Sequence, residues 1–545
     1  MDIAALKTTY FPGVADIRPP SEPAAASFND SQITPLIDGE TFFSDLKTTL
    51  ATIGTGANDA ANTGHFIYIA GWWVDLFDVS VRPAVPVANL GAFFTKGTPF
   101  SLDPAGVGAQ SLVDLLALKA LRGVDVRILP FLNWALMDTP TLSNKVPSIQ
   151  TANVGSLVSA HELRLLPRLK QAVCLNVIGH TAGAVHTKMV VVSNGNDVVG
   201  YTGGIDFVVD RRANVDHSSG SWHDIQAKVE GPAVRGLFET FRSMWDEVLG
   251  RKNRTFRVST FTVPTFASGT SVVPPLTITP AAKGKHHVLS VRTFPQFNYP
   301  FWFRNFGVSN PPITFAPSGL FEIRTAWKKA ISGATTYVYV EDQAFWSVEV
   351  LSWIHDAVRA SPSLKVVLVT GVPDPNDPAS TDTFRDKALF DGLVVGLSGT
   401  PLTPSQRDQI RFFLRGDVVV HSKTTIVDDH WAIIGSANCM RRSLYTDIEH
   451  SVAFVDEGDS AVQDYRVDLW GGHFGLPASA RAAIRSIQSA LRVWEPTWGV
   501  GAGPALPAIF TVQALPAAAP VLSADEQNNY DRFQDVDSRT EWNLG

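Results

Sequence analysis

Two short stretches of this chain hold residues whose types and spacing fit a single chemistry. In the second half, His421-Ser-Lys423-Thr-Thr-Ile-Val-Asp428 is followed by Gly435-Ser436-Ala-Asn438. Side chains alternate faces along a strand, so His421 and Lys423 project to the same side. Asp428-Asp429 supplies a turn, WAIIG returns as a second strand, and Ser436 and Asn438 arrive at its far end. An imidazole, an ammonium and an amide donor are thereby gathered. That set suits a phosphodiester, whose transition state spreads charge over equatorial oxygens and needs fixed donors there. The first half repeats the pair as His186-Thr-Lys188, with a return strand ending at Gly203-Gly204-Ile-Asp206. Two imidazoles answer the two difficulties of a phosphodiester: one attacks phosphorus, the other protonates the departing alcohol and later activates water.

The elements that must position these residues also occur twice. HFIYIAGWWVDLF (65–77) reads as a buried strand and has a counterpart in TYVYVEDQAFW (336–346), which follows an amphipathic helix, FEIRTAWKKAIS. A helix, SLVDLLALKALRGV, and a strand, DVRILPFL, come next in the first half; VLSWIHDAVRAS and LKVVLVTGV come next in the second. The His-x-Lys strands VHTKMVVV (185–192) and VHSKTTIV (420–427) follow, and each half closes on a helix ending in tryptophan, FETFRSMW and VQDYRVDLW. Alternating strands and helices predict an α/β fold. The internal duplication predicts two similar lobes, each a mixed β-sheet flanked by helices, in a pseudo-twofold arrangement with the active site between them. The boundaries expected are 1–250 for the first lobe, 251–290 for a Thr/Pro/Ser/Gly-rich connection, 291–500 for the second lobe and 501–545 for a wrapping or loose tail.

Composition narrows the choice. Apolar residues make up 45% of 545, enough for large buried cores. The net charge of −7 gives no global pull toward nucleic acid, so no nucleic-acid partner is expected. Cys174 and Cys439 are too few for a disulfide framework and lack zinc-ligand spacing; two buried small apolar side chains are expected. The first twenty residues lack a basic segment followed by an apolar one, and no apolar run approaches the ~18 residues that span a bilayer. A cytoplasmic protein, or one exported by a non-classical route, is the corresponding expectation, and a monomer.

The string H-x-K-x4-D-x6-G-S-x-N at 421–438 resembles the HKD motif of the phospholipase D superfamily. GWWVD, RGVDVRIL, SWHDIQAKVEGPAV, YVYVEDQAFW, TDIEHSVAF and DLWGGHFGL are similar to segments of its eukaryotic-type, phosphatidylcholine-hydrolysing members, so the likeness runs from about residue 60 to 476. The resemblance implies hydrolysis of the distal phosphodiester of a glycerophospholipid through a phosphohistidine, with transfer to alcohols as a side activity. It places the nucleophile at His186 and the general acid/base at His421. It also gives Lys188, Lys423, Asn438 and Ser436 the non-bridging oxygens, and Asp224 (in SWHD) and Glu449 (in TDIEH) the task of orienting the imidazoles. The family's motif aspartate organises a turn, which is the role implied for Asp428. No cofactor and no metal are called for, since the lysines supply the positive charge.

The first motif departs from the family pattern. Ser193 stands where the aspartate belongs, and Asn194-Gly195-Asn196-Asp197 forms a longer hairpin turn with Asn-Gly as a type I′ signal. Asp197 could replace the missing aspartate, or Ser193 could mark a lipid-binding protein that has lost hydrolysis. Asp206 occupies the place of the asparagine, as in eukaryotic-type first motifs. Trp72, Trp73 and Trp346 follow the two repeated strands at their carboxyl ends, where ligands bind in α/β sheets, and read either as a substrate wall or as core. FPQFNYPFWFRNFGV (294–308), with Arg304, reads either as a transient membrane-surface contact or as a packed interlobe loop.

Overall fold

The computed structural model describes residues 2–13, 27–81, 94–103, 110–132, 147–180, 183–214, 217–218, 222–251, 256–258, 261–263, 270–297, 311–372, 382–458, 460–499, 504–524, 526–527 and 530–531. Residues 298–308 of the aromatic stretch, Arg304 among them, lie outside this set, as do parts of the connection and tail.

Each half lays down its strands in the same order. The first half begins with β1 (Ser27–Ile37), the helix Gly39–Ala51 and β2 (His65–Gly71), followed by a small hairpin of β3 (Val79–Val81) and β4 (Phe94–Lys96). The helix Leu112–Leu121 then crosses to β5 (Asp125–Pro130), which pairs with β2 in parallel as such a crossover requires. Next come the hairpin β6 (Met189–Asn194) and β7 (Val198–Gly203), the short β8 (Trp222–His223), β9 (Ile225–Glu230) and the helix Val234–Gly250. In the connection β10 (Phe256–Val258) pairs with β11 (Phe261–Val263).

The second half repeats this as β12 (His286–Phe294), β13 (Leu320–Phe321), the helix Glu322–Ser332, β14 (Tyr337–Asp342), the helix Val348–Ala360 and β15 (Lys365–Gly371), again parallel to β14. β16 (Ile410–Arg415) and β17 (Val419–Val420) precede the hairpin β18 (Lys423–Val427) and β19 (Trp431–Gly435). β20 (Glu449–Asp456) and the helix Ala461–His473 complete the repeat, and β21 (Phe510–Gln513) brings the tail back against β16.

The sheets of the two lobes are continuous. The strand order is β21-β16-β15-β14-β18-β19-β20-β12-β1-β9-β7-β6-β2-β5, with β13 beside β12. β1 makes the join: Ser27, Phe28 and Ser31 pair with β12, while Gln32–Ile37 pair with β9. An isolated lobe would leave these seam strands with unpaired amides and carbonyls; pairing them to each other removes both edges. Helices cover both faces, giving a three-layer α/β architecture. One core runs across both lobes and holds Trp245 and Trp470, the tryptophans that end the closing helices; one further large core lies under the outer helices of each lobe. Cys174 and Cys439 are both buried. No helix among the described residues is long and apolar enough to cross a membrane.

The two motif hairpins are closed differently. Asp428 and Asp429 have φ of 58° and 57°, and His430 N–H donates to Val427 O at 2.9 Å, the pattern of a type I′ turn. The Asp428 carboxylate accepts from the amides of Thr335, Thr336 and Tyr337 and from the hydroxyls of Thr335 and Tyr10, so it clamps the start of β14. In the first lobe the type I′ expectation at Asn194-Gly195 does not hold, because only Gly195 has a positive φ (83°). The longer turn is closed by Asn194 Oδ1, which accepts from the amides of Asn196 and Asp197, and by Ser193 Oγ, which accepts from Gly195 N–H. Asp197 does not stand in for the missing aspartate: its carboxylate takes its own neighbour's amide, at Val198, and an ion pair with Lys283 at 2.6 Å.

These roles separate in stability. Asp428→Ala strips a buried acceptor from three amides and is expected to cost about 3 kcal/mol or more. Asp197→Ala, which loses a surface ion pair, should cost about 1 kcal/mol or less. Urea unfolding midpoints of the two variants measure the difference, and equal losses would contradict it.

Candidate active site

The extended approach to each motif strand leaves its own lobe. His186, Lys188 and His421 stand just before the strands and not inside them as expected, and only Lys423 opens its strand; β6 starts at Met189 and β18 at Lys423. Just before β6, His186 N–H donates to Ile448 O at 2.8 Å and Ile448 N–H donates to Ala184 O at 2.8 Å. Just before β18, Val420 pairs with His223 in the short parallel ladder of β17 and β8, and His421 N–H donates to His223 O at 2.8 Å. Ile448 precedes Glu449 and His223 precedes Asp224, so each histidine is set beside the carboxylate of the opposite lobe.

Side chains complete this exchange. His421 Nδ1 lies 2.6 Å from Asp224 Oδ2. His186 Nδ1 lies 3.0 Å from the carbonyl oxygen of Ser436 and 3.2 Å from Glu449 Oε1. A nitrogen facing only acceptors carries the proton, which leaves Nε2 as the free lone pair of each neutral ring. Neither Nε2 has a hydrogen-bond partner among the described residues.

The space around each carboxylate is tailored to it. A Cβ on Gly204 would sit 2.0 Å from Asp224 Oδ1, so only glycine fits there. At the matching position of the other lobe, Ser436 Oγ–H donates to Glu449 Oε2 at 2.5 Å.

Burial dominates the electrostatics. It raises Asp224 to about 7 against the pull of Lys423, and Glu449 to about 7 against the Ser436 hydrogen bond and Lys188. It pushes both imidazoles well below the usual histidine range, reinforced at His186 by Lys188 and Lys423, and at His421 by Lys423 and Arg211. At 2.6 Å the proton taken up near neutrality belongs to the Asp224·His421 pair and not to either group alone. Burial also lowers Lys188, and takes Lys423 to about 8 against Asp224 and Asp342. Lys188 Nζ donates to His186 O at 3.0 Å and lies 3.6 Å from Asp206; Lys423 Nζ donates to His421 O. Asp206 accepts from Trp73 N–H at 3.0 Å, and the buried Asn438 Oδ1 has no partner among the described residues.

Three residues not singled out in the sequence belong to this cluster. Trp222 stands edge-on to His421 at 5.4 Å, as Trp72 does to His186 at 5.8 Å. Arg211 stacks on Trp222, 3.2 Å from the ring centroid. Asp342, which burial raises to about 8, accepts from the amides of Ala344 and Cys439. The position of Trp222 directly before His223-Asp224 was a usable signal; nothing in the sequence pairs Arg211 with it. Trp346 is half-buried with its amide on Cys439 O, and the rings against the imidazoles are Trp72 and Trp222, not Trp346.

Behind the second dyad, His223 is held between Asp38 and Glu341, each at 2.9 Å. Burial lowers its proton affinity, but the two carboxylates outweigh this and raise it to about 10. Glu341 also accepts from the hydroxyl of Ser422, which fixes the backbone between His421 and Lys423.

Comparisons with known proteins find the following likenesses. The family model described as "Cardiolipin synthase, PLD-like domain" matches residues 329–470. Phospholipase D alpha 2 of Oryza sativa subsp. japonica is 22% identical over 80% of this chain and 66% of its own length. Phospholipase D A of Dictyostelium discoideum is 30% identical over 28% of this chain and 16% of its own, and cardiolipin synthase A of Klebsiella pneumoniae is 21% identical over 51% and 47%. The chain thus spans about two thirds or less of the length of these relatives. A solved phosphatidylserine synthase of Haemophilus influenzae aligns with a TM-score of 0.44 at 13% identity, over 82% of this chain and 87% of its own. Residues 329–470 match the PLD-like domain model, and in its doubled His-x-Lys motif and its sequence relatives the chain is similar to the phospholipase D superfamily.

Proposed function

We propose that the protein is a phospholipase D that cleaves the distal phosphodiester of glycerophospholipids to phosphatidic acid and a free head group, without a cofactor. The observation that carries this reading is the pair of crossed dyads, each presenting an imidazole with a free Nε2 beside a buried lysine. His186 Nε2 attacks phosphorus, and the bond to the head-group oxygen breaks as His421 donates its Nε2 proton to that oxygen. His421 then takes a proton from water, whose oxygen attacks phosphorus and releases His186. An alcohol in place of water gives transphosphatidylation.

The roles follow from the two environments. His186 shares its Nδ1 proton with a neutral carbonyl as well as with Glu449, which suits a ring that reacts neutral. His421 has one short bond to a carboxylate, which favours the imidazolium of a general acid. Lys188, Lys423 and Asn438 offer donors to the non-bridging oxygens. Ser193 does not weigh against catalysis, since its turn is closed by other hydrogen bonds and the dyads are intact.

Mixed phospholipid vesicles test the reading through phosphatidic acid release, and through phosphatidyl-alcohol formation when a primary alcohol is added. His186→Ala and His421→Ala should each lower kcat by about 10⁴-fold. Near-normal turnover by His186→Ala would overturn the two-histidine mechanism. Cleavage of DNA in preference to lipid would move the substrate to a different class.

The two dyads also set a pH dependence. The nucleophile must have lost its extra proton and the acid must hold one, so kcat/KM should rise and then fall about a maximum near pH 7, where both carboxylate pairs titrate. Asp224→Asn removes the anion that helps His421 keep its proton. The falling limb should therefore move to lower pH, and kcat should drop about 10²-fold or more. A pH–rate profile with the falling limb unmoved would assign the acid elsewhere.

A further inference from the structure

The side of the site next to the general acid carries donors that lack acceptors. Arg211 is 3% exposed, and its Nε–H and Nη1–H have no hydrogen-bond partner among the described residues; neither has the buried Nε1–H of Trp73. Among the described residues the carboxylate in ion-pair range of Arg211 is Asp210, at 3.2 Å from Nη1 and half-exposed to solvent, and it does not align as a hydrogen bond. Leaving buried guanidinium donors unmade is costly, so such a group marks a place where a ligand supplies the acceptors. Arg211 lies against Trp222, which touches His421, and its charge acts on both His421 and Asp224.

The aromatic rings here each already carry a cation on one face. Arg211 sits over Trp222 and, at 5.8 Å, over Trp73; Lys188 Nζ sits 5.4 Å over Trp72. A quaternary ammonium is recognised by free aromatic faces and can accept no hydrogen bond. Here it would meet occupied rings and a like charge.

We infer that Arg211, with Trp73, forms a head-group subsite that takes a head group rich in oxygen acceptors, a polyol or an anionic one, and selects against choline. This rests on the phosphodiester reading above, because His421 as general acid places the leaving head group on its own side of phosphorus. It departs from the phosphatidylcholine preference implied by the family resemblance. Arg211 is a specificity residue here and takes no part in the bond changes.

The test uses dihexanoyl phosphatidylglycerol and dihexanoyl phosphatidylcholine as dispersed monomers, so that vesicle charge plays no part. The wild-type protein should give a kcat/KM at least tenfold higher for the glycerol lipid. Arg211→Gln should shift the ratio at least tenfold toward the choline lipid, and Arg211→Lys, which keeps the charge but not the planar fork, should fall between. A wild-type preference for the choline lipid would overturn the inference. So would an Arg211→Gln variant that lowers both lipids equally, which would give Arg211 a part in the fold or in phosphate binding. Turnover of neither lipid by the wild type would remove the phospholipase reading itself and the subsite with it.

Discussion

Ionisable groups tolerate burial only when each finds its partner, and in this protein the partners of the reactive histidines belong to opposite lobes. His421 Nδ1 meets Asp224 at 2.6 Å across the lobe boundary, and His186 meets Glu449 at 3.2 Å in the opposite sense. Backbone pairing enforces both meetings: Ile448 pairs with the approach to His186, and His223 with the approach to His421. The seam of β1 and β12 holds the lobes in the one orientation that allows this. A lobe taken alone would hold each imidazole without its carboxylate partner.

Within that pseudo-symmetry the halves are complementary. Gly204 makes room for the short Asp224 carboxylate, while Ser436 donates a hydrogen bond to the longer Glu449. Asp206 and Asn438 occupy equivalent places, one pairing with Lys188 and the other presenting an unpartnered amide oxygen. His223, between Asp38 and Glu341, stands behind the His421 dyad. Such differences give the two rings unlike surroundings, and each ring's environment sets its proton affinity, which is the basis of the division of roles proposed above.

Much of this was legible in the chain. The continuous apolar runs of β2 and β14 announced buried strands, and the paired His-x-Lys residues with the Asp428 turn announced the chemistry. Glu449 and Asp224 were found by position, but the crossing was not, because Asp224 and His421 lie 197 residues apart and no local period links them. The seam strands escaped notice as well: SFNDSQITPLI alternates poorly, and its two ends serve different neighbours through a break between Phe28 and Ser31. The partner of Asp197 was not legible either, because a carboxylate near a turn has no fixed address in sequence, and Lys283, far along the chain, captures it. Arg211 was invisible for the same reason, since its significance lies in what it fails to bond.

The crossed dyads are tested most directly by trapping the covalent intermediate with an activated short-chain phosphatidyl p-nitrophenol, whose leaving group needs no protonation. Phosphohistidine would be quenched in base and located by mass spectrometry in Asp224→Asn and Glu449→Gln variants. Asp224 serves His421, so Asp224→Asn should still form the adduct on His186 and accumulate it, because only the return step needs the base. Glu449 serves His186, so Glu449→Gln should leave the adduct unformed. The reverse pattern, accumulation in Glu449→Gln and none in Asp224→Asn, would show that each carboxylate serves the histidine of its own lobe and would contradict the crossed site.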